Sequence, residues 1–573
     1  MKKSFVILFV FVVGMAVAQI PRESGLLDIS AFPMEKTDLF VNADLLLAGE
    51  ALHYKTFVQD GQGKTSTLSK TAYVSLRNQN DSIIFTHKLQ LINGVANGDF
   101  FLPSTLKTGV YKLIAYTNFS RNNVKDAFSQ KAILLINPFV RTVKSASSEN
   151  EINLTLTSEE LPNPFDSEGT SVNIKLITDK FTYGVREKVK LTVENITGKN
   201  QGNYVLSVRK IEPVIAEIPA SRNNAISSDL AFLPELRGEL ISGVVLSGEK
   251  VPVANQVLSL TIPGKDYVFK MAKTDRHGRF YFSVDEAYQA ENAVIQLNEE
   301  GLESKDFQII INEKRFDLSK GAPSNLNLDP SLKKWVLERS VQLQIENAYF
   351  EAKRDSVFPP RLAPKFYDHL GKLFVLDDFT RFPSVRETFV EIISLAAIRG
   401  VGGSTRFLVN NEYDPKGLAK FSKIDPLVLL DGFQVLNNSE LINYNARDIK
   451  SIRVVNQPYR YGPKLFSGII AVETKQGDFI PLDLDGYSKT FKISPVERRK
   501  QYYSPTYNNS NVLSRIPDYR VQLLWQPELK NEQSGFISFY TSDVSGVFQI
   551  SLEGFTDEGV PISVKQFFKV KYE

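Results

Sequence analysis

Alternation with a period of two runs through almost the whole chain. Val172, Ile174 and Leu176 alternate with Asn173 and Lys175, Val189, Leu191 and Val193 with Lys188, Lys190 and Thr192, and Tyr204, Leu206 and Val208 follow suit. Successive strand side chains point to opposite faces, so this pattern predicts antiparallel sheets with one buried and one wet face. Between residues 38 and 140, Ile83, Phe85, Leu89 and Leu91 form one such row, with Thr86, Lys88 and Gln90 opposite. His87 sits in the apolar row without a second histidine nearby, which predicts an imidazole satisfied by neighbouring side chains. At 573 residues the chain is long enough for several such units, about four at ~150 residues each.

Helical spacing interrupts the pattern twice. "DPSLKKWVLERSVQLQIENAYFEAKR" (329 to 354) spaces Leu332, Val336, Val341 or Leu343, and Ile345 as a helix does. "FPSVRETFVEIISLAAIRG" predicts a helix opened by a Ser384–Glu387 capping box, striped by Val385, Phe389, Ile392, Ile393 and Ala396, and stopped at Gly400. Strands follow at Thr405 to Val409, at Leu427 to Val435 around an Asp431-Gly432 turn, and at Ser451 to Val455 paired with Ile469 to Thr474. Asp275 and Gly278 bracket another turn, and the 500 to 573 tail is again short strands.

The first residues read as an address. Lys2 and Lys3 precede an apolar stretch from Phe5 to Val13 and the small residues Ala16-Val17-Ala18, the pattern of a secretory signal cleaved after Ala18 to expose Gln19. The apolar core is shorter than the ~20 residues that span a bilayer, so the expectation is no direct membrane span. With no cysteine in the chain, lipoprotein anchoring, disulfides, thiolate metal sites and cysteine nucleophiles are excluded. A net charge of +3, without a basic cluster, gives no footprint for nucleic acid.

Sites of catalysis are not visible. "GQGKTST" (61 to 67) lacks the first glycine of a phosphate-binding loop, since Val58 stands there, and a strand follows it; it predicts a charged hairpin loop. "RGVGGS" (399 to 404) lacks the spacing of a dinucleotide fingerprint and reads as a helix stop and turn. His53, His87, His277 and His369 are scattered without metal-ligand spacing, and no Gly-x-Ser-x-Gly elbow exists. The expectation is a non-enzymatic protein without cofactor or metal.

"DPLVLLDGFQV" (425 to 435), "DIKSIRVV", "YGPKLFSGIIAVETK" and the amphipathic helix before them resemble the plug domain of TonB-dependent outer-membrane receptors, a small α/β domain that closes a β-barrel. "FVNADLLLAGEALHYKTFVQD" and "LKTGVYKLIAYTNFSRN" resemble macroglobulin-type β-sandwiches. "ITDKFTYGVREKVKLTVEN" resembles a second one, with Arg186 where that family usually has glycine. "ISGVV" with "TDRHGRF" is similar to the carboxypeptidase-regulatory-like sandwich. The resemblance implies a mainly β, multidomain chain of serial β-sandwiches plus one α/β plug-like domain. Its expected layout is signal peptide 1–18, macroglobulin-like sandwiches 19–142 and 143–235, a regulatory-like sandwich 236–320, a helical connector 321–370, a plug-like domain 371–480 and a C-terminal sandwich 481–573.

A macroglobulin thioester is impossible without cysteine, and only 93 residues follow the plug-like region, too few for a large transporter barrel. The resemblance therefore implies a periplasmic protein, associated with the outer membrane through other proteins. It would dock on an outer-membrane β-barrel protein of another chain and its periplasmic or surface subunits, occluding or bracing that barrel, as the separate plug protein of the type nine secretion translocon does. An exported adhesion or structural array is the alternative, and a hydrolase of unseen chemistry a second. Tyr459, Arg460, Tyr461 and Phe466, in "PYRYGPKLF", are the candidate partner-binding residues, because aromatic and arginine side chains commonly anchor interfaces.

Overall fold

The computed structural model describes residues 34–572 apart from 124–127, 141–149, 158–161, 164–166, 170–173, 196–197, 217–231, 299–306, 314–323, 361, 402–403, 414–423, 480–487, 508–514 and 530–535. The expected signal segment, its cleavage site and Val172 lie outside these residues. The chain is mainly β and multidomain: three β-sandwiches, a small connecting sheet with one helix, and one α/β unit.

In the first sandwich, a three-stranded sheet of Lys36–Val41, Ala51–Gln59 and Val95–Phe101 faces a five-stranded one of Leu45–Leu47, Ser129–Ile136, Gly109–Tyr116, Thr71–Arg77 and Ile83–Gln90. Leu46, Leu52, Tyr54, Val74 and Leu113 fill the space between them and are fully buried. The expected row on Ile83–Gln90 holds for Phe85, Leu89 and Leu91 but not for Ile83, which is exposed. A register shift between Leu76 and Arg77 is the reason: the inserted residue, Ile84, turns to the core and moves Ile83 outward. His87 is satisfied as expected, its Nδ1 2.5 Å from the Tyr54 hydroxyl. Residues 60–64 form the expected hairpin turn, held by the Asp60 carboxylate accepting from the amides of Gln62 and Lys64.

The second sandwich departs most from the expected layout. Its central strand, Gly202–Lys210, pairs on one side with Gln522–Leu529 and on the other, over nine positions, with Gly546–Thr556. Pro561–Val570 extends that sheet, and Ile537–Tyr540 adds to the opposing one beside Lys188–Glu194. One core therefore joins Tyr183, Val189, Leu206 and Val208 to Phe539, Phe548, Ile550 and Phe568. The strands expected to form two separate sandwiches within 143–235 and 481–573, Lys175–Thr178 to Gly202–Lys210 and Gln522–Leu529 to Pro561–Val570, are two halves of one. Alternation reveals that a strand has a buried face but does not name its partner, so this closure was invisible in the local pattern. The expected wet face of Gly202–Lys210 is also covered, with every residue from Tyr204 to Ser207 buried, because the first sandwich packs on it.

The third sandwich pairs Arg279–Val284, Glu239–Ser247 and Phe307–Ile311 in one sheet and Val268–Lys273, Val257–Ile262 and Asn292–Leu297 in the other. Ser488–Lys492, well beyond the expected boundary at 320, completes the second of these sheets. The Asp275–Gly278 turn forms as expected, with Gly278 at φ +70°. In the connector, helix α1 (Lys333–Ala348) packs Leu332, Val336 and Leu343 over a small sheet of Val214–Ala216, Asn150–Leu156 and Ser324–Leu328, while Val341 faces outward.

The α/β unit has a five-stranded sheet in the order Lys372–Val375, Ile449–Val455, Ile469–Thr474, Leu427–Leu430, Phe433–Gln434. Helix α2 (Val385–Glu391) starts with both hydrogen bonds of the Ser384–Glu387 capping box. It ends nine residues before Gly400. Ala396–Val401 is a strand, paired with Ser404–Val409, and Gly400 lies inside it. This hairpin brings the fully buried Phe407 against Phe389 (ring centroids 4.8 Å), and that contact replaces the continued helix. Helix α3 (Asn438–Ile442), capped by Asn437, had no counterpart in the sequence reading.

Polar and aromatic side chains join the sandwiches. Lys55 donates from the first sandwich to the carbonyl of Tyr204 (3.1 Å), to Asn203 Oδ1 and to the carbonyl of Pro527. Burial, only partly offset by Glu528, pulls its pKa down to about 7. Beside it the His53 ring lies between Tyr502 (4.7 Å, edge-on) and Trp525 (5.6 Å, stacked), and burial lowers its pKa to about 4. An unfolded imidazole takes up a proton near pH 6.5, this one only near 4, so the unfolded chain binds more protons in between. Stability should be full above pH 6.5 and fall as the pH drops toward 4, with His53 contributing on the order of 3 kcal/mol. Thermal melts of His53→Gln across this range should show a shallower acid limb than the wild type; superimposable limbs would contradict the assignment.

Candidate interaction surface of the α/β unit

The Asp431-Gly432 turn has two consecutive positive φ angles, +47° and +83°, as a tight two-residue hairpin requires. Asp431 is buried, and its carboxylate accepts from the Thr474 amide (2.8 Å), the Thr474 hydroxyl (2.5 Å) and the Phe479 amide (3.1 Å). These bonds fix the turn to the end of the neighbouring strand and direct its tip outward, where it meets the third sandwich. The Gly432 carbonyl accepts from the Thr261 hydroxyl (3.1 Å), and a Cβ on Gly432 would stand 2.1 Å from the Tyr267 ring.

The turn is one corner of a contact that covers a whole sheet face. Leu427, Leu429, Val455, Ile469 and Ala471 point from this sheet toward Phe269 of the third sandwich and Tyr367 of the connecting segment, and all are buried. The other face of the sheet carries α2 and α3. The hydroxyls of Tyr267 and Tyr367 are hydrogen-bonded to each other, and burial pushes both phenol pKa values upward. At the rim, Lys464 donates to Asn298 Oδ1 (2.7 Å), and Asn298 donates to Gln434. Burial pushes the Glu473 carboxyl up, but its contact with Lys365 outweighs that and holds it below the usual range.

Three of the four candidate contact residues are taken up by this internal contact. Phe466 is 2% exposed within the shared core. Tyr461 donates its hydroxyl to the Phe269 carbonyl (2.7 Å), and Phe366 lies 4.2 Å from the Tyr461 ring and 5.8 Å from that of Tyr459. Only Arg460 is exposed. The aromatic residues do serve an interface, but one within the chain, because "DYVFKM" and "KFYDHL" supply the opposing rings. Those two aromatic segments were the available signal, and sequence alone did not pair them with "PYRYGPKLF".

What this unit leaves open is its helical side and one sheet edge. Val390 on α2 is 74% exposed beside the exposed Arg386, and Phe379, whose ring lies 6.5 Å from that of Phe374, is also exposed. Among the described residues no group of His, Asp or Glu is arranged to hold a metal, and no helix is long and apolar enough to cross a membrane. The unit thus has one sheet face sealed against the third sandwich and its helical side exposed.

No family model matches the chain, and no curated protein matches it. Among solved structures it is similar to the Escherichia coli alpha-2-macroglobulin activated by porcine elastase, at 10% identity and a TM-score of 0.24, covering 94% of this chain and 44% of that one. It is also similar to a Salmonella alpha-2-macroglobulin reacted with methylamine (10% identity, TM-score 0.16), covering 93% of this chain and 23% of that one. Latent PorU from Porphyromonas gingivalis (9% identity, TM-score 0.16) overlaps 52% of this chain and 34% of its own. The chain thus spans less than half of each of these proteins.

Gly432→Ala should destabilise the joint between the α/β unit and the third sandwich by at least about 2 kcal/mol, from left-handed backbone strain and the clash with Tyr267. Denaturant unfolding of the variant checks this. A change within about 0.5 kcal/mol would mean that the turn does not dock as described.

Proposed function

We propose that the protein is an exported, non-enzymatic component of the outer-membrane periphery that docks on a β-barrel supplied by another chain, occluding or bracing it. The observation that carries this reading is the mounting of the α/β unit. The unit resembles a receptor plug, one face of its sheet is sealed against the chain's own third sandwich, and its helical side stays open with Val390 and Phe379 on it. Among the described residues the largest sheet has six strands, whereas a plug serves a barrel of many more. The sandwiches then act as spacers and contact surfaces. They hold the plug-like unit at a fixed orientation, so the pore-facing side is the helical one and not the Tyr459–Phe466 hairpin that packs on the third sandwich.

Affinity capture from detergent-solubilised outer membranes tests the reading. The full chain should retain a β-barrel protein, and Phe379→Glu with Val390→Glu should lose it, because two carboxylates in the centre of an apolar contact must be desolvated without partners. Both side chains are exposed, so the variant should melt with the wild type. Capture of no barrel by the wild type, or undiminished capture by the variant, overturns the proposal and leaves the structural-array reading.

A further inference from the structure

A groove of about 730 Å³ separates the first and third sandwiches. Its two long sides are the terminal strands of the third sandwich's two sheets, Phe307–Ile311 and Ser488–Lys492, each paired with a neighbour on one side only among the described residues. Every residue from Gln308 to Glu313 borders the groove. Side chains of a strand alternate between faces, so consecutive lining shows that the backbone edge, and not a face, is open here. The Asn312 amide donates to the Ser242 carbonyl (2.9 Å). By the alternation of an antiparallel ladder, the amides of Gln308 and Ile310 then point at Glu239–Ser247, and those of Ile309 and Ile311 point into the groove.

The floor is apolar, formed by Ile241, Ile309, Phe491 and Ile493 at the margin of the third sandwich's core. The roof is the outer face of the first sandwich, with Tyr73 and Thr86. Of the lining charges, Lys88 is paired with Glu239 (2.5 Å) and Arg77 with Asp81 (3.0 Å). Lys489 and Lys492 remain at the exposed rim against the single carboxylate of Glu313.

We propose that this groove accepts an extended segment of a partner protein as an added strand on Phe307–Ile311. The segment carries apolar side chains alternating with acidic ones. Main-chain bonds to Ile309 and Ile311 supply the pairing, the Ile241–Phe491 floor takes the apolar side chains, and Lys489 and Lys492 select acidic over basic sequences. The site is independent of the barrel-docking surface, which lies on the α/β unit.

Two fluorescein-labelled peptides, acetyl-EIDVEI-amide and acetyl-KIKVKI-amide, titrated against the full mature chain test this. The acidic peptide should bind and slow amide exchange at Ile309 and Ile311. Lys489→Glu with Lys492→Glu, at exposed positions that leave the fold intact, should weaken the acidic peptide about tenfold and reverse the preference. Ile311→Pro removes a groove-facing amide without breaking a ladder bond and should abolish binding of either peptide. No binding of the acidic peptide at about 1 mM overturns the proposal. So does binding that leaves Ile309 and Ile311 exchange unchanged, or an unaltered preference in the charge-reversed variant. Binding of phosphatidylglycerol vesicles that the acidic peptide fails to displace would assign the groove to lipid instead, and would also overturn it.

Discussion

The strand Gly202–Lys210 has both of its neighbours some three hundred residues later in the chain. Without Gln522–Leu529 and Gly546–Thr556 it would expose two unpaired edges and half of a core, a state that costs both ladder bonds and buried apolar area. The late strands are clasped at the far end as well. Arg186 adopts φ +55°, a conformation that disfavours an arginine, and its guanidinium makes two 2.6 Å bonds to the Asp543 carboxylate and a third to the Ile516 carbonyl. The bidentate pair offsets a left-handed penalty of about 1–2 kcal/mol, which explains how an arginine occupies a turn where glycine is the easier choice. Helix α1 of the connector, the third sandwich and the α/β unit are therefore insertions in the chain between the two halves of the second sandwich.

The units are held in register by buried polar joints. Glu50 of the first sandwich accepts from Arg209 (3.1 Å) and from Arg339 on α1, and Glu212 is ion-paired with Arg339 (3.0 Å) and accepts from the Trp335 indole (2.9 Å). Lys88 and Glu239 join the first and third sandwiches, with the Tyr288 hydroxyl donating to the same carboxylate (2.7 Å). Such pairs add little net stability over apolar packing, yet losing one partner leaves a buried charge at a cost of about 3–5 kcal/mol. Their consequence is orientation: a displaced sandwich would strand these charges. That rigidity holds the open helical side of the α/β unit at one orientation, as the proposed docking requires.

Much of the local structure was legible in the residues. The Ser384–Glu387 capping box, the Asp431-Gly432 turn and the pairing of Ser451 to Val455 with Ile469 to Thr474 follow from side-chain chemistry acting over a few positions. The length of α2 did not, because Ile392 and the residues after it suit a strand as well as a helix and Phe407 decides between them. The division of the second sandwich was not legible, since pairing partners three hundred residues apart leave no mark on local periodicity. For Tyr459, Tyr461 and Phe466 the residue class pointed to an interface without naming its other side, as an aromatic anchor looks the same whether it meets another chain or its own, and here it meets its own.

The closure of the second sandwich by the C-terminal strands is tested most directly by amide hydrogen exchange on a chain ending at Tyr503. The account predicts that Tyr204 to Val208 lose their protection to near that of an unfolded chain, while Val74 to Leu76 in the first sandwich keep theirs. Protection of Tyr204 to Val208 at the level of the full chain would show that the first half folds without its returning strands, and would contradict the account.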